Sequence, residues 1–580
     1  MESKIAEFQI REKLYESDKS LIFCGIREHD NLPVILKILR QDYPSPAELI
    51  RYRQEYDIIG NLKISGVIKT YGFLKYQNTI AIILEDFGGK SLRQLLAERS
   101  FVMSEWLSLA IRIAGIMGEL HATNIIHKDI NPGNIVFNHE TDELKIIDFG
   151  IASILPRENP TLQNPEQLEG TLAYISPEQT GRMNRSLDYR TDIYSLGVTL
   201  YELLTRRLPF KSDDAMELVH CHLARKPVLP HELDPNIPVI ISDIIMKLMA
   251  KTAEERYQSA WGLQSDLKKC QIQLASIGAI RSFVLGQNDI SSKFQIHQKL
   301  YGREAEIAQL LSAFERISSE TGEMLLVSGY SGIGKTALIR EIYRPVTERR
   351  GYFVSGKFDP FRRDIPYSAI VNAFKDMIKQ LLSEKETRLA QWKTKLQKSV
   401  GNNGQLIVKI IPELGLIIGK QPEVPVLPPA ESQNRFNIVF RNFFRALCDK
   451  DHPLVLFTDD LQWADFASLN LLKVLMTDPE NRYFLIIGAY RDNEVNPAHP
   501  LILTIEDIRK AEGVVHHLQL QNLCFEDVDA LISDTLLNKE TQALTRPVYE
   551  KTLGNPFFTK ELLKSLHDEG LLFFDVGTRT

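Results

Sequence analysis

Long apolar runs are missing from this sequence. None reaches the ~18 residues of a membrane-spanning helix, so no span is expected. The opening stretch MESKIAEFQIREK lacks an apolar core, so no secretory signal is expected there. Cysteine is scarce: the five residues Cys24, Cys221, Cys270, Cys448 and Cys524 lie far apart, with no CxxC pair. That pattern offers neither a disulfide framework nor a zinc site, and it suits a reducing compartment. An excess of one charge is also lacking, since 69 basic residues face 75 acidic ones for a net charge of −6. Such a balance argues against a dedicated nucleic-acid binder. No internal repeat with a period of about 20–50 residues is visible. What remains is ordinary globular composition, 44% hydrophobic and 25% charged, over 580 residues. At about 100–200 residues per domain, this length holds several domains, and the expected location is the cytoplasm.

The most informative stretch runs from Ile125 to Gly150, IIHKDINPGNIVFNHETDELKIIDFG. Two short β-branched runs, IVF and LKII, flank the polar turn HETDE and predict a hairpin. The chain enters that hairpin at Asn134 and returns to its mouth at Asp148, which places an amide and a carboxylate side by side. Such oxygen donors suit Mg²⁺, which shares its coordination shell with phosphates. Asp129, just upstream, can orient an attacking hydroxyl, so the stretch has the equipment for phosphoryl transfer from ATP. Upstream, FQI, LIFCGI and VILKIL predict strands, the last carrying Lys37. A lysine in such a strand either reaches out to water or contacts phosphate with an acidic partner, and the helix-like segment AELIRYRQEYDII supplies Glu55.

Taken in order, VILK with Lys37, Glu55, HKDINPGN, DFG, SPE (Ser176 to Glu178), DIYSLG with Asp192 and ERY with Arg256 resemble a eukaryotic-type protein kinase domain over residues 8–270. The resemblance implies that Lys37 holds the ATP phosphates and pairs with Glu55, that Asp129 is the catalytic base, and that Asn134 and Asp148 bind magnesium. It also implies a Glu178–Arg256 ion pair and an Asp192 that braces the catalytic loop. The long segment from Asp148 to Glu178 favours a protein substrate with a serine or threonine acceptor over a small molecule. The sequence departs from the pattern at Tyr15, Ser17 and Ser20, which stand where kinases place the glycines of the phosphate-covering loop. Lys128 replaces an arginine, Ile35 an alanine, and Asn131 the lysine that serine/threonine kinases carry two residues after the base. The last change removes a positive charge from the transferring phosphate.

Residues 271–299 have scattered glycine, serine and asparagine with no period, and are expected to form a linker. Beyond it, EMLLVSGYSGIGKTALIREIY runs an apolar strand into a Gly-rich loop and a helix. This is GxxxxGK[ST] in its required context: Gly329, Gly332 and Gly334 free the backbone to cradle phosphates, Lys335 reaches their oxygens, and Thr336 binds Mg²⁺. The run PLVLFTDDLQWAD ends a buried strand at Asp459, which would hold the metal, and Asp460, which would orient water. A further strand, FLIIGAY, ends at Arg491, placed to sense a terminal phosphate.

With YGREAEI upstream and GNPFF (Gly554, Asn555, Pro556) downstream, residues 300–570 resemble the STAND group of AAA-related signalling ATPases. In that group the GxP element packs on the adenine. The order of the whole chain is similar to the N-terminal part of large multidomain signalling kinases known especially from cyanobacteria, which continue into GAF and histidine kinase modules. The expected fold is therefore a bilobal α+β kinase domain at 8–270 and an α/β P-loop domain at 300–500. A helical or winged-helix-like segment is expected at 501–580. The expected function is a serine/threonine protein kinase that uses ATP and Mg²⁺ and is regulated by a fused ATPase with weak ATPase activity of its own. The alternative is a pseudokinase scaffold with a nucleotide-dependent switch. Implied partners are a protein substrate, a histidine kinase or other signalling protein, and a second copy in a nucleotide-dependent homo-oligomer.

Overall fold

The computed structural model describes the chain except residues 1–3, 6, 18–19, 41–43, 77–78, 155–168, 184, 290–293, 295, 318–321, 363–364, 383–385, 537, 539 and 573–580. The middle of the Asp148–Glu178 segment and the end of the expected winged-helix-like segment thus lie outside the described residues. The chain forms two compact units, in the main residues 1–291 and 292–580.

The first unit opens with a six-stranded antiparallel sheet in the spatial order Lys4–Ile5, Phe8–Glu16, Ser20–Arg27, Leu32–Leu39, Thr79–Glu85, Thr70–Tyr76. Successive side chains of a strand face opposite sides. In Leu32–Leu39, therefore, Val34, Leu36 and Ile38 pack on one face with Phe8, Ala81 and Ile83, and Lys37 points to the other. That second face is covered by the helix Pro46–Asn61, which presents Tyr52, Ile58 and Ile59 to the core. The helix begins one residue before the helix-like segment AELIRYRQEYDII. Ser45 and Glu48 form a reciprocal capping box that satisfies two otherwise orphaned amides.

The rest of the unit is helical around one large core. Met103–Ala122 is tied to Arg190–Thr205 by the buried Trp106, whose indole nitrogen donates to the Leu200 carbonyl at 3.2 Å. Ala260–Ile277 packs against Met103–Ala122 at Gly118, where an added Cβ would meet the Trp261 ring at 2.5 Å. The hairpin predicted between Asn134 and Asp148 is present as Ile135–Asn138 and Glu143–Ile146, with Ile135 opposite Ile146.

The linker expected from residue 271 begins inside a helix. Its next residues also belong to the first unit: Ile280, Phe283 and Leu285 pack on the core, and Asp289 accepts from the amides of Gln258 at 2.6 Å and Ser259 at 2.9 Å. Three spaced apolar residues and one carboxylate dock this stretch without any secondary-structure period.

The second unit is built on a five-stranded, all-parallel sheet ordered Tyr352–Lys357, Leu454–Asp459, Phe484–Tyr490, Gly322–Ser328, Val514–Gln519. Both faces are covered, which is why PLVLF and FLIIGAY read as continuous apolar runs. On one face the helices Ser368–Leu382 and Pro429–Leu447 bring Phe374 against Phe440, Phe443 and Phe444 with ring centroids 5.5–6.0 Å apart. The expected boundary at residue 500 falls too early, because the helix Pro500–Lys510 and the strand Val514–Gln519 complete this sheet. The polar sequence VVHHLQ hides that strand, since at the sheet's edge its side chains are largely exposed. The described residues that follow form the helices Phe525–Leu536, Gln542–Thr552 and Pro556–Asp568 around Val528, Leu531, Ile532, Val548 and Leu563.

Candidate functional site

In the first unit the structure brings Lys37, Glu55 and Asp148 together. The Lys37 ammonium donates to Glu55 Oε1 at 2.7 Å and Oε2 at 2.9 Å, and to Asp148 Oδ1 at 2.7 Å. Burial pushes the Lys37 amine down, but the charges of Asp148 and Glu55 outweigh it and the net shift is upward, so the side chain stays protonated. Asn134 closes the hairpin mouth, its carbonyl accepting from the Ile147 amide at 2.9 Å. Its amide nitrogen donates at 2.9 Å both to the Asp129 carbonyl and to Asp129 Oδ2, which leaves its Oδ1 for a cation. Asp129 Oδ1 accepts from the Thr171 amide at 2.9 Å. Asn134 and Asp148 thus offer one amide and one carboxylate oxygen beside the Asp129 loop, a hard donor set that fits Mg²⁺ shared with phosphate. Among the described residues no cluster of three or more acidic, histidine or cysteine side chains is set to hold a metal, so the fit rests on this pair.

The loop is braced from below. Asp192 accepts from the amides of His127 at 2.9 Å and Lys128 at 2.7 Å, and lies 3.0 Å from His121 Nε2. This grip falls on Lys128, which takes a positive φ of 68° that non-glycine residues rarely adopt, and Asp148 takes one of 64° further on. Glu178 and Arg256 meet in a buried two-bond pair at 2.7 and 2.8 Å. At the glycine-less loop, Ser17 and Ser20 close the turn on each other: the Ser20 amide donates to Ser17 Oγ at 2.9 Å, and Ser20 Oγ lies 2.6 Å from the Tyr52 hydroxyl. The last contact ties the loop to the helix that carries Glu55. Sequence reasoning missed it, as it missed Arg93, whose guanidinium reaches Asn131 Oδ1 at 3.2 Å.

In the second unit Gly329, Gly332 and Gly334 take φ values of 147°, 76° and 97°, and the helix Lys335–Arg340 follows with Thr336 in its first turn. Lys335 donates to the carbonyls of Gly329 at 2.7 Å and Tyr330 at 2.9 Å. The strand Phe484–Tyr490 lies between the strand leading to this loop and the strand ending at Asp459, so Arg491 emerges between them. Arg491 Nε lies 3.6 Å from Asp460 Oδ1. Gln462, a residue the sequence did not flag, bridges the two, donating to Asp460 Oδ1 at 3.0 Å and accepting from the Arg491 amide at 3.2 Å. Lys357 adds a further cation 3.2 Å from Asp460.

Pro556 starts its helix beside the loop, and Asn555 caps that helix while donating to the Ser331 carbonyl at 3.2 Å. Together with Leu300, Tyr301, Gly332, Ala337, Leu531 and Phe557, Pro556 lines a cavity of about 190 Å³ next to the loop. Only Gly332 and Pro556 of that group were singled out in the sequence. Tyr301, Ala337 and Phe557 lie within the stretches YGREAEI, GKTALIREIY and GNPFF but were not named, and Leu300 and Leu531 carry no local signal.

The first unit thus sets a buried lysine bridged by two carboxylates beside an aspartate–asparagine pair, and the second sets the lysine of a Gly-rich loop within the charge field of two aspartates. Residues 8–267 match the family model described as protein kinase domain, and residues 299–487 that described as AAA ATPase domain. The chain thus carries a protein kinase domain followed by an AAA ATPase domain.

The hybrid signal transduction histidine kinase G of Dictyostelium discoideum is 31% identical over 82% of this chain and 18% of its own length. The serine/threonine-protein kinase PrkC of Bacillus subtilis is 31% identical over 40% of this chain and 36% of its own. The peroxide stress-activated histidine kinase mak3 of Schizosaccharomyces pombe is 22% identical over 97% of this chain and 27% of its own. The chain therefore spans well under half of these relatives. No helix of the described residues is long and apolar enough to cross a membrane.

Proposed function

We propose that the first domain transfers the γ-phosphoryl group of ATP to serine or threonine hydroxyls of a protein, and that the second domain is a STAND-like, nucleotide-dependent switch that regulates it. The observation that carries this reading is the Lys37 bridge to Glu55 and Asp148, together with the Asp129–Asn134 pair. In this reading Lys37 holds phosphate oxygens, and Asn134 and Asp148 hold Mg²⁺, which neutralises charge on the phosphates. Asp129 orients the acceptor hydroxyl. As the hydroxyl oxygen bonds to phosphorus, its proton passes to Asp129, and the bond to the bridging oxygen breaks with its electron pair leaving on ADP. In the second domain the Gly-rich loop and Lys335 take the phosphates, Thr336 and Asp459 the metal, and Asp460 orients water, with Arg491 at the terminal phosphate.

Supporting the switch is the contact of the C-terminal helices with the loop itself through Asn555 and Pro556, which lets nucleotide occupancy alter how those helices pack. A cytoplasmic location, a histidine kinase or similar signalling partner, and a nucleotide-dependent homo-oligomer complete the proposal. It is tested by phosphate incorporation from labelled ATP into the chain and a generic protein substrate. Equal incorporation by the parent and Asp129→Asn removes the catalytic assignment. Nucleotide-dependent assembly without any transfer instead supports a scaffold, the reading favoured by a phosphate-covering loop that Ser17 and Ser20 close without glycine.

A further inference from the structure

Phosphoryl transfer at Asp129 gathers negative charge, and the charge available to meet it in the first domain is limited. Lys37 is already shared between two carboxylates, and Lys128 is buried. Asn131, two residues past Asp129, contributes an amide only. Its nitrogen donates to the Asp129 carbonyl at 3.1 Å and lies 3.4 Å from Thr171 Oγ1, so it sits between the base and the loop facing it.

Arg93 reaches this spot from a different element. It is the second residue of the helix Leu92–Glu98, whose start is fixed by a Ser91–Gln94 capping box. The Arg93 amide donates to the Pro132 carbonyl at 2.9 Å, which pins that helix start to the Asp129 loop. The guanidinium donates to Asn131 Oδ1 at 3.2 Å and stands over the Tyr174 ring at 6.0 Å. It also lies across Gly133, where an added Cβ would come within 3.5 Å of its central carbon, so the missing side chain at 133 makes room for it. Asn131 is neutral, and on the other side the Tyr174 hydroxyl donates to the Glu202 carboxylate, so these contacts aim the guanidinium without pairing it directly with a carboxylate. Arginine keeps that charge at any relevant pH and offers a planar fork suited to phosphate oxygens.

We propose that Arg93 is a catalytic residue of the first domain, supplying from the helix Leu92–Glu98 the positive charge for the transferring phosphoryl group that the Asp129 loop itself lacks. This rests on the phosphoryl-transfer reading. As the acceptor oxygen bonds to phosphorus and the bond to ADP breaks, Arg93 exchanges no proton; it lowers the energy of the charge on the phosphoryl oxygens. Asn131 positions it.

The test uses the full chain in a Lys335→Ala background, so that nucleotide titrations report chiefly on the first domain. Arg93→Ala, Arg93→Lys and Arg93→Ala/Asn131→Lys are compared for transfer to a neutral and an acidic serine peptide, and for binding of ATP and ADP with Mg²⁺ by calorimetry. Loss of one such electrostatic group typically costs about 10²–10³ in kcat. Arg93→Ala is therefore expected to lower kcat by about 100-fold with peptide KM unchanged, and to shrink the preference for ATP over ADP severalfold. Arg93→Lys should keep most of both. Placing a lysine at 131 should restore at least about tenfold of the rate lost in Arg93→Ala.

Unchanged kcat and an unchanged ATP/ADP ratio in Arg93→Ala overturn the proposal. So does a raised KM confined to the acidic peptide, which assigns Arg93 to substrate recognition instead. If the parent transfers no phosphate, the phosphoryl-transfer reading fails, while the ATP/ADP comparison still decides whether Arg93 meets the terminal phosphate.

Discussion

Both carboxylate oxygens of Asp129 accept hydrogen bonds, Oδ2 from Asn134 and Oδ1 from the Thr171 amide. Replacing Asp129 by asparagine turns one acceptor into a donor that faces another donor, and removes the proton acceptor. Asp129→Asn is expected to cut phosphate incorporation by about 10²–10⁴-fold while ATP affinity stays within a few-fold, read by labelled-ATP transfer and calorimetry. Lys335 meets the carbonyls of its own loop, contacts that phosphates would replace. Lys335→Ala should therefore weaken nucleotide binding in the second domain by at least about tenfold with little change in folding, since it removes a charge-assisted bond of roughly 1.5–3 kcal/mol. The roles of both residues can be argued from sequence because each sits in a short local pattern. Arg93 could not be placed that way: its relation to Asn131 spans two elements, and nothing in SLRQLLAE announces it.

Among the elements, the two-bond contact between Glu178 and Arg256 joins a short turn to a distant loop inside the core. Burial pushes the Glu178 carboxyl up, but the Arg256 charge and its hydrogen bonds outweigh this and hold it below its ordinary value. A depressed carboxyl stabilises the fold above its unfolded value of about 4.3, and that contribution disappears as pH falls through the lower folded value. Urea midpoints of the first unit should thus drop below about pH 4.3, and Glu178→Gln should lack that part of the slope. Removing only the cation leaves a buried charge, so Arg256→Ala should cost about 3–5 kcal/mol in urea titrations.

In the second unit Asn555 both caps the helix Pro556–Asp568 and holds the Ser331 carbonyl. Asn555→Ala should lower stability by about 1 kcal/mol and also speed nucleotide exchange, whereas a cap alone would change only the first. Three strands of the parallel sheet, within EMLLVS, PLVLF and FLIIGAY, were legible because a continuous apolar run is a local signal. The edge strand Val514–Gln519 was not, because its exposed side chains leave no alternation to read.

Across the whole molecule, the division into two units tracks two separate sets of cores. The sequence placed the break at a loss of periodicity near residue 271. The structure carries the first unit on to Asp289 through contacts that have no period, and the side chains Ile280, Phe283 and Leu285 are the cause. A fragment ending at 289 should therefore be more stable than one ending at 270 by at least about 2 kcal/mol, measured by urea unfolding, because the shorter one bares apolar surface and cuts a helix. Equal stabilities would show that this stretch contributes nothing.

The strand order of the second sheet also bears on how the chain is made. Gly322–Ser328 is the first of its five strands to leave the ribosome, yet its two neighbours, Phe484–Tyr490 and Val514–Gln519, are the last. At roughly 5–20 residues per second it must wait on the order of ten seconds or more with both edges unpaired. During that interval MLLVS is a sticky nascent segment trailing a unit whose own chain is already complete. Production of this protein should therefore depend on translation speed and chaperone supply through the second unit, and yield should suffer first from changes that weaken those late strands.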